Sequence, residues 1–313
     1  MTGGGDGSGA AQLEQNRGKA MASSPPEWHR YYTPRRRSRK APLVGWRPVP
    51  ELPEVETARR RAERALRGLR IAAVAAAPDP IVYHGVTPSR FAAALRGRRV
   101  LAVRRKGKHL WMELDRRPWP LFHFGMTGSF EIYRDGVPRP RFWKVEIAME
   151  DGTRLAMPDP RRFGRIRLQE RPEDEPPLAL LGFDPLEGLP PARELALRLR
   201  RRGGAVKSVL LDQSLFAGVG NWIADEALYQ AAIDPRRPAS SLALREVARL
   251  RARLHAIVRR AVAVGADDAR FPRTWLFHDR WGREEGARTG RGERIVHLTI
   301  GGRTTAFVPA RQR

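Results

Sequence analysis

Residues 50–57 read Pro-Glu-Leu-Pro-Glu-Val-Glu-Thr and place a proline beside a carboxylic acid at the start of an amphipathic segment. A proline inside a chain has an amide nitrogen without a basic lone pair, whereas an N-terminal proline is a secondary amine that can attack a sugar C1′ and form an iminium. Glu51 is adjacent in sequence, so it lies close enough to act as a general acid. The octet predicts this chemistry if Pro50 is the first residue of the active chain.

The segment in front of Pro50 has the composition of a disordered extension. Residues 1–10 are mostly glycine and small polar residues, residues 34–40 form a basic run, and no hydrophobic period is present. We interpret residues 1–49 as a basic extension that is absent from the active protein. Val49 precedes Pro50 directly, and a translation start at its codon, followed by removal of the initiating methionine, leaves Pro50 free.

Five further motifs follow the octet along the chain. They read Arg105-Lys106-Gly107-Lys108-His109-Leu110, His123-Phe124-Gly125-Met126-Thr127-Gly128, Asp159-Pro160-Arg161-Arg162-Phe163-Gly164, Gly218-Val219-Gly220-Asn221-Trp222-Ile223-Ala224-Asp225-Glu226 and Gly301-Gly302-Arg303-Thr304-Thr305. In this order they resemble the formamidopyrimidine-DNA glycosylase (Fpg/Nei) family. The resemblance implies a bifunctional DNA glycosylase and abasic-site lyase of base excision repair, which removes oxidised purines and cuts the strand by β,δ-elimination through a Schiff base. The chemistry that it implies needs no metal and no organic cofactor.

The resemblance assigns four residues to the chemistry. Pro50 is the nucleophile, and Glu51 is the general acid that acts on the sugar ring oxygen. Lys108 contacts a phosphate from the β-sandwich and assists in handling charge or protons. Glu54 matches an acidic position of the family and orients the proline, although a carboxylate that complements the first turn of a helix explains this residue equally well.

A glycine-rich loop, residues 218–221, lies between two predicted helices. Glycines such as Gly220 let backbone N–H groups approach a phosphate, and the N-terminus of the following helix adds a partial positive charge. The resemblance implies a helix-two-turns-helix clamp in which Asn221 binds a phosphate, with Arg303 of a terminal hairpin beside it. A plain helix–loop–helix with a capping asparagine is the alternative for the local pattern.

Three side chains match the residues with which the family fills the space left by an extruded nucleotide. Met126 is an apolar plug in a glycine-rich loop, Phe163 is a wedge between bases, and Arg162 donates to the base left unpaired. A methionine or a phenylalanine is more often part of a core. The neighbouring glycines and arginines argue against burial at these positions.

The chain has no cysteine, so the four-cysteine zinc finger with which the family commonly ends cannot form. The last segment still predicts a β-hairpin, because Arg294 to Ile300 alternates into a Gly-Gly turn and residues 303–308 return with β-branched and aromatic side chains. This resembles the zincless finger of plant and fungal members. Apolar packing should hold such a hairpin, and the candidates are Trp275, Phe277, Trp281 and Phe307.

The charge of the chain predicts a polyanionic partner. The formal net charge is +25, and removal of residues 1–49, with nine basic and three acidic side chains, leaves +19. Phosphate neutralisation with counterion release favours nucleic acid, although charge alone is also compatible with a ribosomal or general RNA-binding protein. We expect a monomer that acts on double-stranded DNA containing oxidised bases or abasic sites. No apolar run predicts a membrane span, and we expect the protein in the cytoplasm, at the nucleoid.

Pattern breaks along the chain predict an α+β protein. A leading helix with Val55, Ala62 and Leu66 on one face precedes a strand-rich part that predicts a β-sandwich, and a helical part follows. The expected domains are the extension 1–49, a catalytic β-sandwich 50–169, a hinge 170–200, a helix-two-turns-helix domain 201–270 and a zincless hairpin 271–313. The predicted helices of the second half are 206–213, 222–231 and 242–264.

Two other functions remain open at this level. A non-catalytic protein that binds damaged DNA fits the sequence if Pro50 stays acylated. A glycosylase for oxidised pyrimidines, of the endonuclease VIII type, is disfavoured by Met126 with Arg162 and Phe163, which resemble the purine-acting branch. Residues 265–270 are a short segment where the family carries a base-covering loop, which predicts better excision of formamidopyrimidines or hydantoins than of 8-oxoguanine.

Overall fold

The computed structural model describes residues 49–282 and 286–313. Apart from Val49, the predicted N-terminal extension lies outside the described residues. The described part begins with helix α1, Leu52–Leu66, whose N-cap is Glu51. Proline at the second helical position and Glu54 in the first turn fit the start of a helix. The helix buries Val55, Ala62 and Leu66 in one core.

Two four-stranded antiparallel sheets follow α1 and form the predicted sandwich. Their strands are β1 (Ile71–Ala76), β2 (Val100–Lys106), β3 (His109–Leu114), β4 (Trp119–His123), β5 (Glu131–Arg134), β6 (Trp143–Met149), β7 (Thr153–Pro158) and β8 (Arg165–Gln169). One sheet has the order β1-β6-β7-β5 and the other β2-β3-β4-β8. Helix α2, Pro88–Leu95, packs beside β1. Side chains from both sheets and from α1 share one apolar core.

The second sheet brings three connections to one of its ends. The β2–β3 turn, residues 107–108, lies there because Lys106 pairs with His109. His109 in turn pairs with His123, the last residue of β4, and His123 pairs with Arg165, the first residue of β8. The loops that follow β4 and precede β8 therefore lie beside the β2–β3 turn. This end of the sheet carries every site residue that the sequence placed in the sandwich after α1.

The helical half contains α3 (Ala192–Arg200), α4 (Val206–Leu211), α5 (Asn221–Ala231) and α6 (Leu244–Ala263). Three of these helices match the prediction, but α3 lies inside the segment predicted as a hinge, residues 170–200. Leu195, Ala196 and Leu199 of α3 are buried in the core of the helical half. The acidic, proline-rich start of that segment concealed this helical spacing. Part of the predicted hinge thus belongs to the packed helical domain.

The chain ends in a two-stranded antiparallel hairpin of β9 (Val296–Ile300) and β10 (Arg303–Phe307). Gly301 and Gly302 form its turn with positive φ angles of 55° and 71°, which favour glycine. The α+β fold class is confirmed by this arrangement of a β-sandwich and a helical half. Within the described residues, no helix has the length and apolar character of a membrane span.

Candidate active site

Glu51 joins the two halves of the molecule. Its carboxylate accepts hydrogen bonds from the backbone N–H groups of Trp222, at 2.9 Å, and Ile223, at 3.2 Å, in the first turn of α5. The side chain is buried, with 3% exposure. A carboxylate is favourable at this place because the helix N-terminus supplies unpaired N–H donors and a partial positive charge. The catalytic acid proposed from the sequence is therefore held by both domains.

Gly220 is required for this close approach. A Cβ atom at Gly220 would lie 2.2 Å from Glu51 Cδ, a distance at which the carboxylate must move. Gly218 has φ +89°, and its own Cβ position lies 2.8 Å from a Leu52 side-chain atom. The carbonyl of Gly218 also accepts a hydrogen bond from Leu52 N, at 3.2 Å. These glycines serve the domain junction, a role that the phosphate-binding interpretation of the loop did not include.

The loop before α5 is shaped by Gln213, which the sequence placed in the preceding helix. Gln213 Oε1 accepts a hydrogen bond from Gly218 N, and its Nε2 donates to Val219 O. Helix α4 ends earlier, at Leu211, and the residue after it has extended backbone angles. The predicted end of this helix at Gln213 was therefore wrong by two residues, because the amide side chain supports the loop instead.

Glu54 lies one turn into α1 and touches the backbone beside Pro50. Glu54 Oε2 accepts a hydrogen bond from Glu51 N at 3.0 Å. Burial and then the charge of Glu51 raise the pKa of Glu54 to about 8. Burial also raises the pKa of Glu51 above its ordinary value, against the opposing effects of Lys108 and the α5 N–H groups. Two interacting carboxylates with raised pKa values can hold a proton near neutral pH.

Lys108 lies in the β2–β3 turn and faces these carboxylates. Burial lowers the pKa of its ammonium below the ordinary value, Glu51 and Glu54 act in the opposite direction, and Arg303 contributes to the lowering. Within the described residues, Lys108 Nζ forms no hydrogen bond. The ammonium is thus placed near Glu51 with donors left for an anion. We refer to Glu51, Glu54 and Lys108 as the Glu51 cluster.

Pro50 is the residue immediately before the N-cap of α1. It is partly buried, while Val49 in front of it is exposed. In the full-length chain the Pro50 nitrogen is an amide nitrogen bonded to Val49. The backbone at Pro50 lies beside the Glu51 cluster, since Glu51 N, the next backbone nitrogen, donates to Glu54 Oε2.

Asn221 and Arg303 meet at the junction of α5 and the terminal hairpin. Asn221 is the first residue of α5, and Gly220 occupies the N-cap position, so the asparagine does not cap the helix. Its Nδ2 donates a hydrogen bond to Thr304 O at 2.9 Å, while its buried Oδ1 has no partner among the residues that the structure describes. Arg303 is exposed at the start of β10 and close enough to Lys108 to lower its pKa. The phosphate-binding candidates from three separate segments therefore lie together.

Two loops at the same end of the sandwich carry the proposed void-filling side chains. Met126 lies in residues 124–128 and is partly exposed, whereas Arg162 and Phe163 lie in residues 159–164 and are exposed, Phe163 at 44%. The loops are in direct contact, since a Cβ at Gly125 would lie 2.4 Å from the Phe163 carbonyl carbon. We refer to them as the void-filling loops.

Asp159 holds the void-filling loops together and was not singled out from the sequence. It is fully buried, and its carboxylate accepts hydrogen bonds from Thr127 Oγ1 and Gly164 N, each at 2.7 Å. Each loop thus provides one donor to the same carboxylate. A buried carboxylate with charge-assisted hydrogen bonds fixes their relative position more firmly than apolar contact alone.

The two histidines at this end of the sheet were also missed as individual residues. The rings of His109 and His123 are 4.7 Å apart, and His123 Nδ1 accepts a hydrogen bond from Gly125 N. Burial, with the neighbouring positive charges, lowers the pKa of His109 to about 3 and that of His123 to about 4. Both imidazoles are therefore neutral near pH 7. They connect Lys108 with the void-filling loops without adding positive charge.

A buried ion-pair network joins the sandwich to the segment before α3. Arg105 of β2 contacts Glu56 of α1 and Asp184, and the Asp184 carboxylate also accepts a hydrogen bond from Gly107 N at 2.8 Å. Arg105 is 7% exposed and Asp184 6%. Such a pair is costly to break, because loss of one partner leaves a buried charge without compensation. Nothing in the sequence around Asp184 indicated this role.

The terminal hairpin is attached by charge as well as by apolar packing. Asp225 of α5 is buried and binds Lys207 of α4, Arg280, and the backbone N–H of Ala306 in β10. Of the four predicted residues, Phe307 lies in the hairpin and is buried, whereas Trp275, Phe277 and Trp281 pack in or against the core of the helical half. The apolar cluster at the hairpin is formed instead by Tyr229, Leu276, Ile295, Ala306 and Val308. The sequence did not identify Asp225 as the residue that connects two helices to the hairpin.

Two family models match this chain, one in each half. Residues 49–166 match the family model described as formamidopyrimidine-DNA glycosylase N-terminal domain, and residues 181–272 match that of the formamidopyrimidine-DNA glycosylase H2TH domain. A formamidopyrimidine-DNA glycosylase of Arabidopsis thaliana is 40% identical over 280 residues, covering 85% of this chain and 71% of that protein. One from Geobacter metallireducens is 35% identical over 266 residues, covering 83% of this chain and 98% of that protein.

Solved structures give the same result. The formamidopyrimidine-DNA glycosylase of Lactococcus lactis, bound non-covalently to DNA containing an abasic site, matches with a TM-score of 0.74 and 25% identity. A structure of MutM with DNA containing carbocyclic 8-oxo-G matches with a TM-score of 0.74 and 27% identity. Each match covers 84% of this chain and 100% of the solved one. This chain belongs to the formamidopyrimidine-DNA glycosylase family.

Proposed function

We propose that the protein is a bifunctional DNA glycosylase and abasic-site lyase of base excision repair, with oxidised purines as its substrates and Pro50 as its nucleophile. The observation that carries this proposal is the position of Glu51. It is a buried carboxylate with a raised pKa, adjacent to Pro50 and bound to the first turn of α5. The comparisons with glycosylases of this name support the same activity.

The chemistry begins with a free amine at Pro50. The Pro50 nitrogen attacks C1′ of the damaged nucleotide, Glu51 donates a proton to the sugar ring oxygen, and the base leaves. The resulting iminium makes the C2′ proton acidic, so the 3′ phosphate and then the 5′ phosphate leave by β- and δ-elimination. Glu54 holds the Glu51 backbone through its hydrogen bond to Glu51 N and thereby orients the proline. Lys108 provides a positive charge beside the reacting sugar.

Binding of the duplex is assigned to two groups of residues. Lys108, Asn221 and Arg303 contact phosphates around the extruded nucleotide, with Gly220 allowing close approach of the backbone. Met126, Phe163 and Arg162 enter the stack from the void-filling loops and offset the cost of extrusion, about a few kcal/mol. We assign the chemistry to residues 50–169, the phosphate clamp to residues 201–270 and the Arg303 contact to residues 271–313. We propose that the protein acts on chromosomal DNA in the cytoplasm, at the nucleoid.

Borohydride trapping on an abasic-site duplex tests the proposal. A chain that begins at Pro50 is compared with the full 313-residue chain, and peptide mass spectrometry locates the adduct. We expect an adduct on Pro50 in the short chain only, because the full chain has an amide nitrogen at that position. Lys108→Met in the short chain is the matched control, since it removes the amine of the Glu51 cluster. An adduct that peptide mass spectrometry locates on Lys108 contradicts the assignment of Pro50, whereas a weaker adduct on Pro50 in the Lys108→Met chain reflects the role of Lys108 in binding.

A second function follows if the Pro50 nitrogen stays in its peptide bond to Val49. If the active protein keeps this peptide bond, no iminium forms at Pro50, and the chain binds abasic or damaged duplex without cutting it. Asn221, Arg303 and the void-filling loops keep their roles in that case. Tight abasic-site binding without trapping by either chain supports this second function.

The short segment at residues 265–270 supports a lesion preference within the first function. We propose that formamidopyrimidines and hydantoins are released faster than 8-oxoguanine, because a short segment provides little cover over an extruded base. Single-turnover excision from matched duplexes measures this preference. Faster release of 8-oxoguanine contradicts it.

A further inference from the structure

Arg162 is bound through one edge of its guanidinium to an acidic residue far away in the sequence. Arg162 Nε donates to Asp79 Oδ2 and Nη2 donates to Asp79 Oδ1, each at 3.0 Å. Asp79 lies in the connection between β1 and α2, which no motif includes. This bidentate pair restricts the orientation of the guanidinium plane, as a single contact would not.

Asp79 is itself fixed by other contacts. Its side chain is buried, with the whole residue 6% exposed, and it also accepts hydrogen bonds from Lys144 Nζ at 2.9 Å and Ile81 N at 3.2 Å. Burial raises the pKa of Asp79, but the hydrogen bonds from Arg162 and Lys144 outweigh it and bring the pKa to about 2. The carboxylate is therefore ionised throughout the neutral range and remains an acceptor for Arg162.

The backbone of Arg162 is held as tightly as its side chain. Its φ angle is +58°, in the left-handed region that non-glycine residues rarely adopt. The loop keeps this conformation through Asp159, whose carboxylate binds Gly164 N and whose carbonyl accepts from Arg162 N. Asp159 thus fixes the backbone of Arg162, and Asp79 fixes its guanidinium group.

The pair with Asp79 leaves the other edge of the guanidinium free. Within the described residues, Arg162 Nη1 forms no hydrogen bond, and the edge formed by Nη1 and Nη2 presents two parallel N–H donors. Two adjacent acceptors complement such an edge. On its pairing edge, cytosine offers the acceptors N3 and O2 side by side. Thymine has a donor between its two acceptors, and guanine and adenine each have only one acceptor on this edge.

We propose that Asp79 is a positioning residue for recognition of the base opposite the lesion: it holds Arg162 so that its free edge meets that base. This inference rests on the proposed function, because it requires Arg162 to enter the duplex. Asp79 itself does not touch DNA in this arrangement. It acts through the orientation of Arg162, which a flexible, unpaired arginine would adopt only part of the time.

Equilibrium binding to a non-cleavable abasic analogue tests this role independently of catalysis. Duplexes with tetrahydrofuran opposite each of the four bases are titrated with wild type, Asp79→Asn, Arg162→Ala and the double variant. Lys144→Met is the matched control, since it removes another partner of Asp79 but leaves the pair with Arg162. Thermal unfolding of each variant reports any loss of fold.

We expect wild type to prefer cytosine over adenine by about tenfold, the discrimination of one bidentate contact. D79N should lose most of this preference, K144M should keep it, and the double variant should match R162A. The Asn side chain keeps the size of Asp79 but replaces one acceptor with a donor that repels Arg162. If D79N does not fold, Asp79→Glu serves instead, because it keeps the charge but displaces the carboxylate.

Several results overturn the inference. They are retention of the preference in a folded D79N or D79E, additive losses in the double variant, and an equal loss in K144M. A wild type that binds the abasic duplex without any preference for the opposite base also overturns it. By contrast, a wild type that does not distinguish abasic from undamaged duplex contradicts the proposed function itself.

Discussion

The Glu51 cluster and the void-filling loops carry different parts of the proposed reaction and are held in different ways. Glu51 is buried between two domains, and its carboxylate is bound to backbone N–H groups of a helix that lies more than 170 positions away in sequence. Phe163 and Arg162 are exposed on one domain, where Asp159 fixes the backbone of their loops and Asp79 binds only one edge of the Arg162 guanidinium. A group that needs a shifted pKa requires a dry, preformed surrounding, whereas a group that enters DNA must stay accessible until DNA arrives. The comparison therefore predicts that substitutions in the cluster affect chemistry and that substitutions in the loops affect duplex binding.

The largest expected effect is that of Glu51→Gln. The amide keeps the size of the side chain but cannot donate a proton as an acid does, and we expect base excision to fall by about 10²- to 10⁴-fold. Single-turnover excision by the chain beginning at Pro50 measures the effect. Affinity for abasic duplex should change little, which separates chemistry from binding. A variant that excises within tenfold of wild type contradicts the role of Glu51.

Gly220→Ala should have the next largest effect. The added methyl group lies where Glu51 Cδ is, so the carboxylate must move, and displacement by about 1 Å can cost about 100-fold in rate. Gly203→Ala is the control, since a Cβ there meets no atom within 4 Å. The same assay compares both variants. Equal activity of the two alanine variants refutes the requirement for close approach at Gly220.

Phe163→Ala tests the opposite side of the comparison. Loss of one stacking contact with a base should weaken binding to abasic duplex by about tenfold, while the melting temperature stays the same because the side chain is exposed. Leu197→Ala, also exposed but on α3, is the control. A lowered melting temperature with unchanged binding assigns Phe163 to the fold and contradicts its entry into DNA.

The smallest expected effect concerns stability and pH at Glu54. Its pKa is about 8 in the folded protein, above the ordinary value of 4.5, so the folded state binds the proton more tightly than the unfolded state. The contribution to stability is complete below about pH 4.5 and is lost as the pH rises to about 8. Glutamine does not titrate, so Glu54→Gln does not lose stability in this pH range. The melting temperature of the variant should exceed that of wild type by about 2–4 °C at pH 8. An advantage of equal size at pH 5 and pH 8 shows that the proton on Glu54 is not its cause.

Most of the sandwich and the helices could be predicted from the sequence, because they depend on local periodicity. Helix α6, Leu244–Ala263, for example, lies within the predicted segment 242–264 and is shorter by only three residues. Helix α3 was missed because proline and acidic residues precede a short amphipathic segment. Local patterns identify buried faces, but they do not separate a packed short helix from a linker.

The site could be predicted where its residues lie in motifs, and not where they act across long sequence distances. Glu51, Lys108 and Arg303 come together as the motifs indicated. Asp79 and Asp184 lie outside every motif, and their partners are 83 and 79 positions away. Ion pairs of this kind depend on the folded arrangement, so only the structure reveals them.

The attachment of the terminal hairpin through Asp225 has a consequence for the conditions in which the protein can work. Within the described residues, the hairpin is attached through a carboxylate paired with Lys207 and Arg280 and not through thiolates, since the chain has no cysteine. Thiolates are oxidised stepwise to sulfenic and sulfinic acids, and a metal bound to them is then released, whereas a carboxylate has no such reaction. The same oxidants that damage purines therefore leave this attachment intact, and we expect the hairpin that carries Arg303 to keep its position under oxidative stress.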